Sequence, residues 1–489
     1  MGGPDVDRCG RRVRTGPPRR PAPRRSGGRA PREADRLLGV PAEWKIRKPS
    51  RGRVRPPRIK GPRPECREPP GTLRGPPVAA IRAGSRRAGH RSRRLRQGHR
   101  GPRARDGGLA GRRFLQHDSG RRADLSSLFL PHVPGIRRAS DPVARVRGGA
   151  LMRLVRFSAA GSNPRLGAVV GPWNRWEWVV DLAAADPEIP GDTVAFIDAC
   201  PGLKGATWER AVGVLAEAGR FGTEAPAWAL RPPDVRLHPP IIPRLLRDFL
   251  AFRAHVARTR SAAWTSIPPE WDLLPAYYNG NHLNIVGTGD AIPPMRFETF
   301  EGGSPKIIQS SKMDYEAEIG FVLGQGGRDI PAARAAEHLF GVTIFNDFSA
   351  RDIQMAAGKI GMGPAPGKDW ANALGPCIVT RDEFGELRDQ SVVVRVNNEE
   401  RLRDRYRTMV FENPWVPPGA RALWSFPEMV ECLSRIQPIQ AGEVWGSGTI
   451  PGGCELERGD RARYLKPGDR VEIEIEGIGI LANSIGPAA

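Results

Sequence analysis

Between Ser311 and Trp370 the chain gathers residue types that bind a hard cation and an oxygen-rich anion. In SKMDYEAEIGFVLG, Tyr315, Ala317, Ile319, Phe321 and Leu323 alternate with Glu316, Glu318, Gly320 and Val322. A period of two predicts a strand with one apolar face, and it sets Glu316 and Glu318 on one face about 6–7 Å apart. Farther on, the β-branched run VTIF ends at Asn346-Asp347, and a strand end is where a carboxylate can leave the sheet and face a ligand. Three carboxylates from two strands make an all-oxygen site for Mg²⁺, Mn²⁺ or Ca²⁺. Two glutamates on a strand face are more often just solvated, so their company decides. Asp347, Arg351 and Gln354 follow in the spacing D-x-x-x-R-x-x-Q, and Lys368 stands behind a Pro/Gly loop. Two cations and an amide beside a metal suit an anionic, oxygen-rich substrate.

YEAEIGFVLG, FNDFSARDIQ, GPAPGKDW and the later GSGTIPGGCELE resemble the fumarylacetoacetate hydrolase family, from about Met152 to the C-terminus. The resemblance implies an α+β, mostly β fold: a fumarylacetoacetase-like mixed β-sandwich roll over residues 236–489, preceded by a small N-terminal β-domain over 152–235. It adds Asp248 to Glu316, Glu318 and Asp347 as metal ligands, since Asp248 and His255 match the family's D-x(6)-H pattern. It makes His255 the base that activates water, oriented by Glu457. It gives Arg351, Gln354 and Lys368 charge-stabilising roles and places Tyr278 and Thr449 against the substrate. CELE offers both Glu455 and Glu457, and Glu457 is chosen because it follows the leucine, as in the family. Leu250 stands where fumarylacetoacetate hydrolase has a substrate-contacting tyrosine, which leaves the native substrate open. Homodimers are implied as well.

The remaining composition mostly excludes. The net charge of +23 is not evenly shared: residues 1–150 hold 40 basic and 11 acidic residues, leaving −6 for the rest. That first stretch, rich in Arg, Pro and Gly, lacks apolar periodicity and is expected to be a disordered extension over 1–151. Three origins compete for it: a basic arm for nucleic acid, a targeting segment, or a misassigned start ahead of Met152. A chain begun at Met152 is expected to keep full activity. The cysteines Cys9, Cys66, Cys200, Cys377, Cys432 and Cys454 have neither zinc nor disulfide-framework spacing. With no apolar run long enough for a membrane span and no signal-peptide h-region, a cytoplasmic setting is expected.

These groups need elements to position them. LVRF, RLGAVVG and WEWVVDL read as short strands, residues 192–219 as helical, and RPPDVRLHPPIIP as a linker. LLRDFLAFRAHVARTR carries Leu245, Leu246, Phe249 and Phe252 at helical spacing, which predicts Asp248 and His255 two turns apart on one helix. Tyr278 lies in a Y-x-G loop. Residues 331–340 form a short helix, and SVVVRVNNEE a strand ending in an Asn-Asn turn. RDRYRTMVFENPWVPPGARALW reads as a Pro-broken lid or dimer contact, FPEMVECLSRI as a helix, and the C-terminal LKPGDRVEIEIEGIGILANSI as a hairpin.

Three functions remain. The first is a metal-dependent hydrolase that cleaves a C–C bond in a β-diketo acid of fumarylacetoacetate or acylpyruvate type, in aromatic or tyrosine-type catabolism. Water attacks one carbonyl while the departing carbon is held as an enolate. The second is an isomerase, tautomerase, decarboxylase or hydratase of 2-oxo acids on the same fold. The third is nucleic-acid binding through the basic arm.

Overall fold

The computed structural model describes residues 152–487, apart from 160 and 263–265. The expectations for residues 1–151, including the basic arm, lie outside the described residues.

The N-terminal stretch supplies β1 (Arg153–Ala159), β2 (Arg165–Val170) and β3 (Trp178–Asp181), then the helices α1 (Leu182–Ala185), α2 (Thr193–Ala199) and α3 (Ala206–Ala218). It ends in β4 (Ala229–Leu230) and β5 (Val235–His238). Next come β6 (Leu246–Phe249), α4 (Arg253–Ala262), β7 (Tyr277–Gly280), β8 (Ile285–Val286), β9 (Ala291–Ile292) and the ribbon β10–β11 (Arg296–Glu301, Ser304–Gln309). The central group is β12 (Met313–Asp314), β13 (Ala317–Leu323), β14 (Leu339–Ala350), α5 (Arg351–Ile360), α6 (Ala365–Lys368) and β15 (Ala371–Thr380). After α7 (Arg381–Phe384) follow β16 (Ser391–Val396), β17 (Glu399–Arg405), α8 (Tyr406–Val410), α9 (Phe426–Ile436), β18 (Val444–Gly446), β19 (Arg470–Ile475) and β20 (Gly479–Ile485).

Thirteen strands form one sheet, with the path β4-β3-β2-β1-β15-β14-β13-β18-β6-β7. A second sheet, β17-β16-β19-β20-β9, packs on one of its faces. Strand parity explains the two layers. On β13, β14 and β15, Ile319, Phe321, Ile344, Val342, Cys377 and Val379 point to the second sheet, where Val392, Val394, Ile473 and Ile475 meet them. Their neighbours Val322, Phe345, Leu374 and Ile378 point the other way, under Phe196, Ile197, Trp208, Ala211 and Leu215 of α2 and α3. Both faces of the large sheet are therefore covered, which is why all seven residues of β13 and all twelve of β14 are buried. The expected single apolar face of β13 is corrected in this respect: the face carrying Glu318 is apolar at one end and acidic at the other, and neither end is solvated.

Two further expectations change. LLRDFLAFRAHVARTR is not one helix: Leu246–Phe249 is a fully buried strand, parallel to β18 and antiparallel to β7, and the helix begins only at Arg253. The adjacent charged residues Arg247 and Asp248 are both buried and hide the strand alternation, and Leu246, Phe249 and Phe252 then fall at the three-residue spacing of a helix. The segment expected as a linker contains β5, whose residues pair with Arg156–Ala159 of β1. The hairpin after β16 turns at Asn397 and Asn398 with φ of 53° and 66°, the left-handed pair that a two-residue hairpin turn needs. Among the described residues no helix is long and apolar enough to cross a membrane.

Candidate metal centre and base pair

Four adjacent strands build the floor of the site. Their order is β14, β13, β18, β6, and the registers Ala317↔Asn346, Gly320↔Gly446 and Gly446↔Asp248 align them. Leu246, Val444 and Phe345 lie in the apolar layer under the helices. Two residues along each strand, on the same face, stand Asp248, Gly446 and Asp347. Glu318 joins them from β13, and Glu316 from the peptide just before it, whose N–H donates to Asn346 Oδ1 at 3.0 Å. Oxygens of Asp248, Glu316, Glu318 and Asp347 converge within 4.8 Å of one another, and all four residues are buried.

Two glycines make room. A Cβ on Gly446 would lie 2.7 Å from Asp248 Oδ1, Glu318 Oε2 and the Phe345 ring, so the middle of the floor must be bare. Gly448 adopts φ +80°, and its N–H donates to Glu318 Oε2 at 3.0 Å and Asp248 Oδ1 at 3.2 Å. Gly446→Ala is expected to cost about 1–3 kcal/mol through overpacking. It should also weaken Mg²⁺ binding at least tenfold or so, because the methyl displaces two ligand oxygens. Calorimetric Mg²⁺ titration beside a thermal melt checks both effects.

The electrostatics fit a cation. Glu318 Oε1 and Asp347 Oδ1 are buried with no hydrogen-bond partner. Burial pushes the Asp248 carboxyl well above its usual range, and the charge of Asp347 adds to the effect. Glu318 is raised likewise by burial and by Asp248. Glu316 is the exception: burial opposes its ionisation, but Lys368 and Arg351 outweigh burial and hold it low. Lys368 Nζ donates to Glu316 Oε2 at 2.5 Å and to Asp347 Oδ2 at 2.6 Å. Burial would lower the Lys368 ammonium, yet Asp347 and Glu316 raise it overall. One lysine and one arginine do not neutralise four crowded carboxylates, and the unpaired oxygens are hard donors suited to Mg²⁺, Mn²⁺ or Ca²⁺.

A pH dependence follows. Asp248 and Glu318 hold protons in the metal-free fold that they lose when unfolded, above pH about 4. Metal-free stability from these groups is thus fully present below that pH and declines as pH rises toward their folded values. Metal binding displaces the same protons, so Mg²⁺ affinity should rise with pH. Calorimetry in buffers of different ionisation enthalpy should record proton release.

The other expected site residues fall around this cluster. Tyr278, on β7 opposite Asp248, donates from Oη to Asp347 Oδ2 at 2.8 Å. Arg351, the first residue of α5 and almost wholly buried, has Nη1 2.8 Å from Glu316 Oε1 and 2.9 Å from Gln354 Oε1. Lys368 ends the four-residue α6. Thr449 is buried on the loop after β18, between Gly448 and Ile450, where the Ile450 N–H donates to the Ala317 carbonyl at 2.9 Å. His255, on α4, places Nδ1 2.7 Å from Glu457 Oε1. Of the two glutamates in CELE, Glu457 faces His255. Glu455 instead accepts from Tyr315 Oη at 3.1 Å and Arg401 Nη1 at 3.2 Å.

Two neighbours were not anticipated. Arg258 donates to Glu457 Oε2 at 2.9 Å, which the Gly452 N–H also reaches at 2.7 Å. Its position three residues after His255, on the same helix face, was a usable signal. Asp314, in step with Glu316 and Glu318 along the sequence, pairs with Arg351.

The stretch expected as a lid or dimer contact also supports the site. Its loop pins the start of α4, with the Arg253 N–H on the Ala422 carbonyl and the Trp424 N–H on the Ala251 carbonyl, both at 3.0 Å.

Comparison with known proteins gives the same family. Residues 244–416 and 417–486 match the family described as fumarylacetoacetate (FAA) hydrolase, C-terminal. An oxaloacetate tautomerase of Bacillus subtilis is 29% identical over 291 residues, 56% of this chain and 85% of that protein. A mitochondrial oxaloacetate tautomerase of Bos taurus is 27% identical over 344 residues, 68% of this chain and 91% of that protein. An uncharacterised protein of Pyrococcus horikoshii is 30% identical over 181 residues, 36% of this chain and 69% of that protein. The chain belongs to the fumarylacetoacetate hydrolase family of enzymes.

Proposed function

We propose that the protein is a divalent-metal-dependent tautomerase of a 2-oxo dicarboxylic acid of the oxaloacetate type. The observation that carries this reading is the combination of the four-carboxylate cluster with a histidine, seven residues after Asp248, whose Nδ1 is anchored on the buried Glu457 side chain. Oxaloacetate tautomerases among its relatives support the substrate class.

Tautomerisation moves a proton between the enol oxygen and the adjacent carbon. With Glu457 accepting from Nδ1–H, the imidazole Nε2 is left to take and return that proton. Arg258 and the Gly452 N–H fix the other Glu457 oxygen, so the carboxylate cannot rotate away from His255. Arg351, Gln354 and Lys368 form the cationic side that receives the substrate carboxylate and the enolate oxygen. Tyr278 and Thr449 bound the same space. A divalent ion held by Asp248, Glu316, Glu318 and Asp347 would supply Lewis acidity to the 2-oxo acid oxygens.

The His255–Glu457 pair also favours a second reading, C–C hydrolysis of an acylpyruvate or fumarylacetoacetate, in which His255 would deprotonate water. Assays of the full chain with Mg²⁺ or Mn²⁺, and with EDTA, separate the two. Ketonisation of enol-oxaloacetate is followed by loss of its ultraviolet absorbance, and cleavage by product release from acylpyruvates and fumarylacetoacetate. Ketonisation no faster than with metal alone rejects the tautomerase reading, and faster turnover by cleavage establishes the hydrolase.

A further inference from the structure

We propose that Asp314 is a positioning residue that locks Arg351 and the loop carrying Glu457 into one unit, holding the substrate-facing cation and the base pair in fixed relation. The proposal rests on the roles given above to Arg351 and Glu457.

Asp314 ends β12 and is completely buried, yet its oxygens lie outside the converging metal cluster. Two segments far from it in sequence meet on it. Its Oδ2 accepts from Arg351 Nε at 2.9 Å and stands 2.8 Å from Arg351 Nη2, a charge-assisted grip on one oxygen. The same oxygen accepts from the Leu456 N–H at 3.0 Å. Its Oδ1 accepts from the Glu455 N–H at 3.0 Å and the Tyr315 N–H at 2.9 Å. Glu457, on His255, follows directly after Leu456.

The grip leaves Arg351 with one end to spare. With Nε held on Asp314, Nη1 is turned toward Glu316 and Gln354, the side facing the site. Glu455 clamps the loop a second time, accepting from Tyr315 Oη, Arg401 Nη1 and the Arg463 N–H at 2.8 Å. A buried ionised carboxylate needs several donors, and Asp314 draws them from both sides of the site. It joins the guanidinium on one side of the site to the peptide that aims the base on the other, the support that a preorganised site requires.

The test uses the full chain. Asp314→Asn keeps the shape, removes the charge and leaves one acceptor oxygen. Its kcat on the best 2-oxo acid is expected to fall roughly 10- to 100-fold, the scale of a lost charged hydrogen bond. KM should rise, and Mg²⁺ affinity by calorimetry should stay at the wild-type value. Combining it with Arg351→Gln should give a protein no slower than the slower single variant, because the two act as one unit. Amide exchange at Glu455 and Leu456 should accelerate in Asp314→Asn and, independently, in Arg351→Gln. Wild-type kinetics in Asp314→Asn, multiplicative losses in the double variant, or unchanged exchange at those two amides overturns the proposal. If Asp314→Asn does not fold, the exchange of Arg351→Gln alone decides. Exchange is read without substrate, so a wild-type protein that turns over no 2-oxo acid rejects the functional reading and leaves this measurement standing.

Discussion

The Glu316→Ala/Glu318→Ala protein is expected to bind no divalent cation and to show no turnover, while remaining folded. Each change removes a buried oxygen from a cluster of four, and a hard cation held by two carboxylates alone keeps too little charge and too few ligands. Folding should survive because neither change strands a cation. Lys368 keeps Asp347 at 2.6 Å, and Arg351 keeps Asp314. Loss of Glu318 even relieves crowding, since its carboxyl is pushed well up by burial and by Asp248. Calorimetry with Mg²⁺ and Mn²⁺, beside a thermal melt, reads both halves of the expectation. Stoichiometric binding by the double variant would remove these residues from the metal site.

His255→Ala should lose turnover by about 10²- to 10⁴-fold, the usual contribution of a positioned acid–base group. Metal affinity should be unaffected, because His255 is not among the four converging carboxylates. Glu457→Gln should fall within the same range but lose less, since the amide oxygen can still accept from Nδ1 where the carboxylate now sits at 2.7 Å. The measurement is kcat on the best substrate at saturating Mg²⁺. Turnover at the wild-type rate in His255→Ala would exclude the pair from proton transfer in both functional readings.

Much of this site was legible because its residues follow simple periods. Glu316 and Glu318 share a face by the strand period of two, and D-x-x-x-R-x-x-Q leads Arg351 and Gln354 into the first turns of α5, although Asp347 lies inside β14, which runs on to Ala350, rather than at its end. The C-terminal hairpin was legible for the same reason: Val471, Ile473 and Ile475 alternate with acids, as they do in β19. Asp248 and His255 were expected on one helix, whereas Asp248 lies on β6 and only His255 on α4. Arg247 and Asp248 are charged neighbours pointing to opposite faces, so no period of two shows, and Leu246, Phe249 and Phe252 read as helix. The role of Gly446 was not legible at all. Its reason is an approach between strands distant in sequence, and a missing side chain leaves no pattern. Asp314 escaped for a related reason, because its partners lie 37 and more than 140 positions away.

Lys368 has a consequence for how the protein behaves when its metal is taken away. Its ammonium already bridges Glu316 and Asp347, so the chain carries a resident counterion for the acidic floor. Small metal domains whose ligands lack such a partner unfold on chelation. Here the large sheet and its two apolar layers do not depend on the cation. Stripping with EDTA and reloading should therefore be a reversible on–off cycle on a standing scaffold.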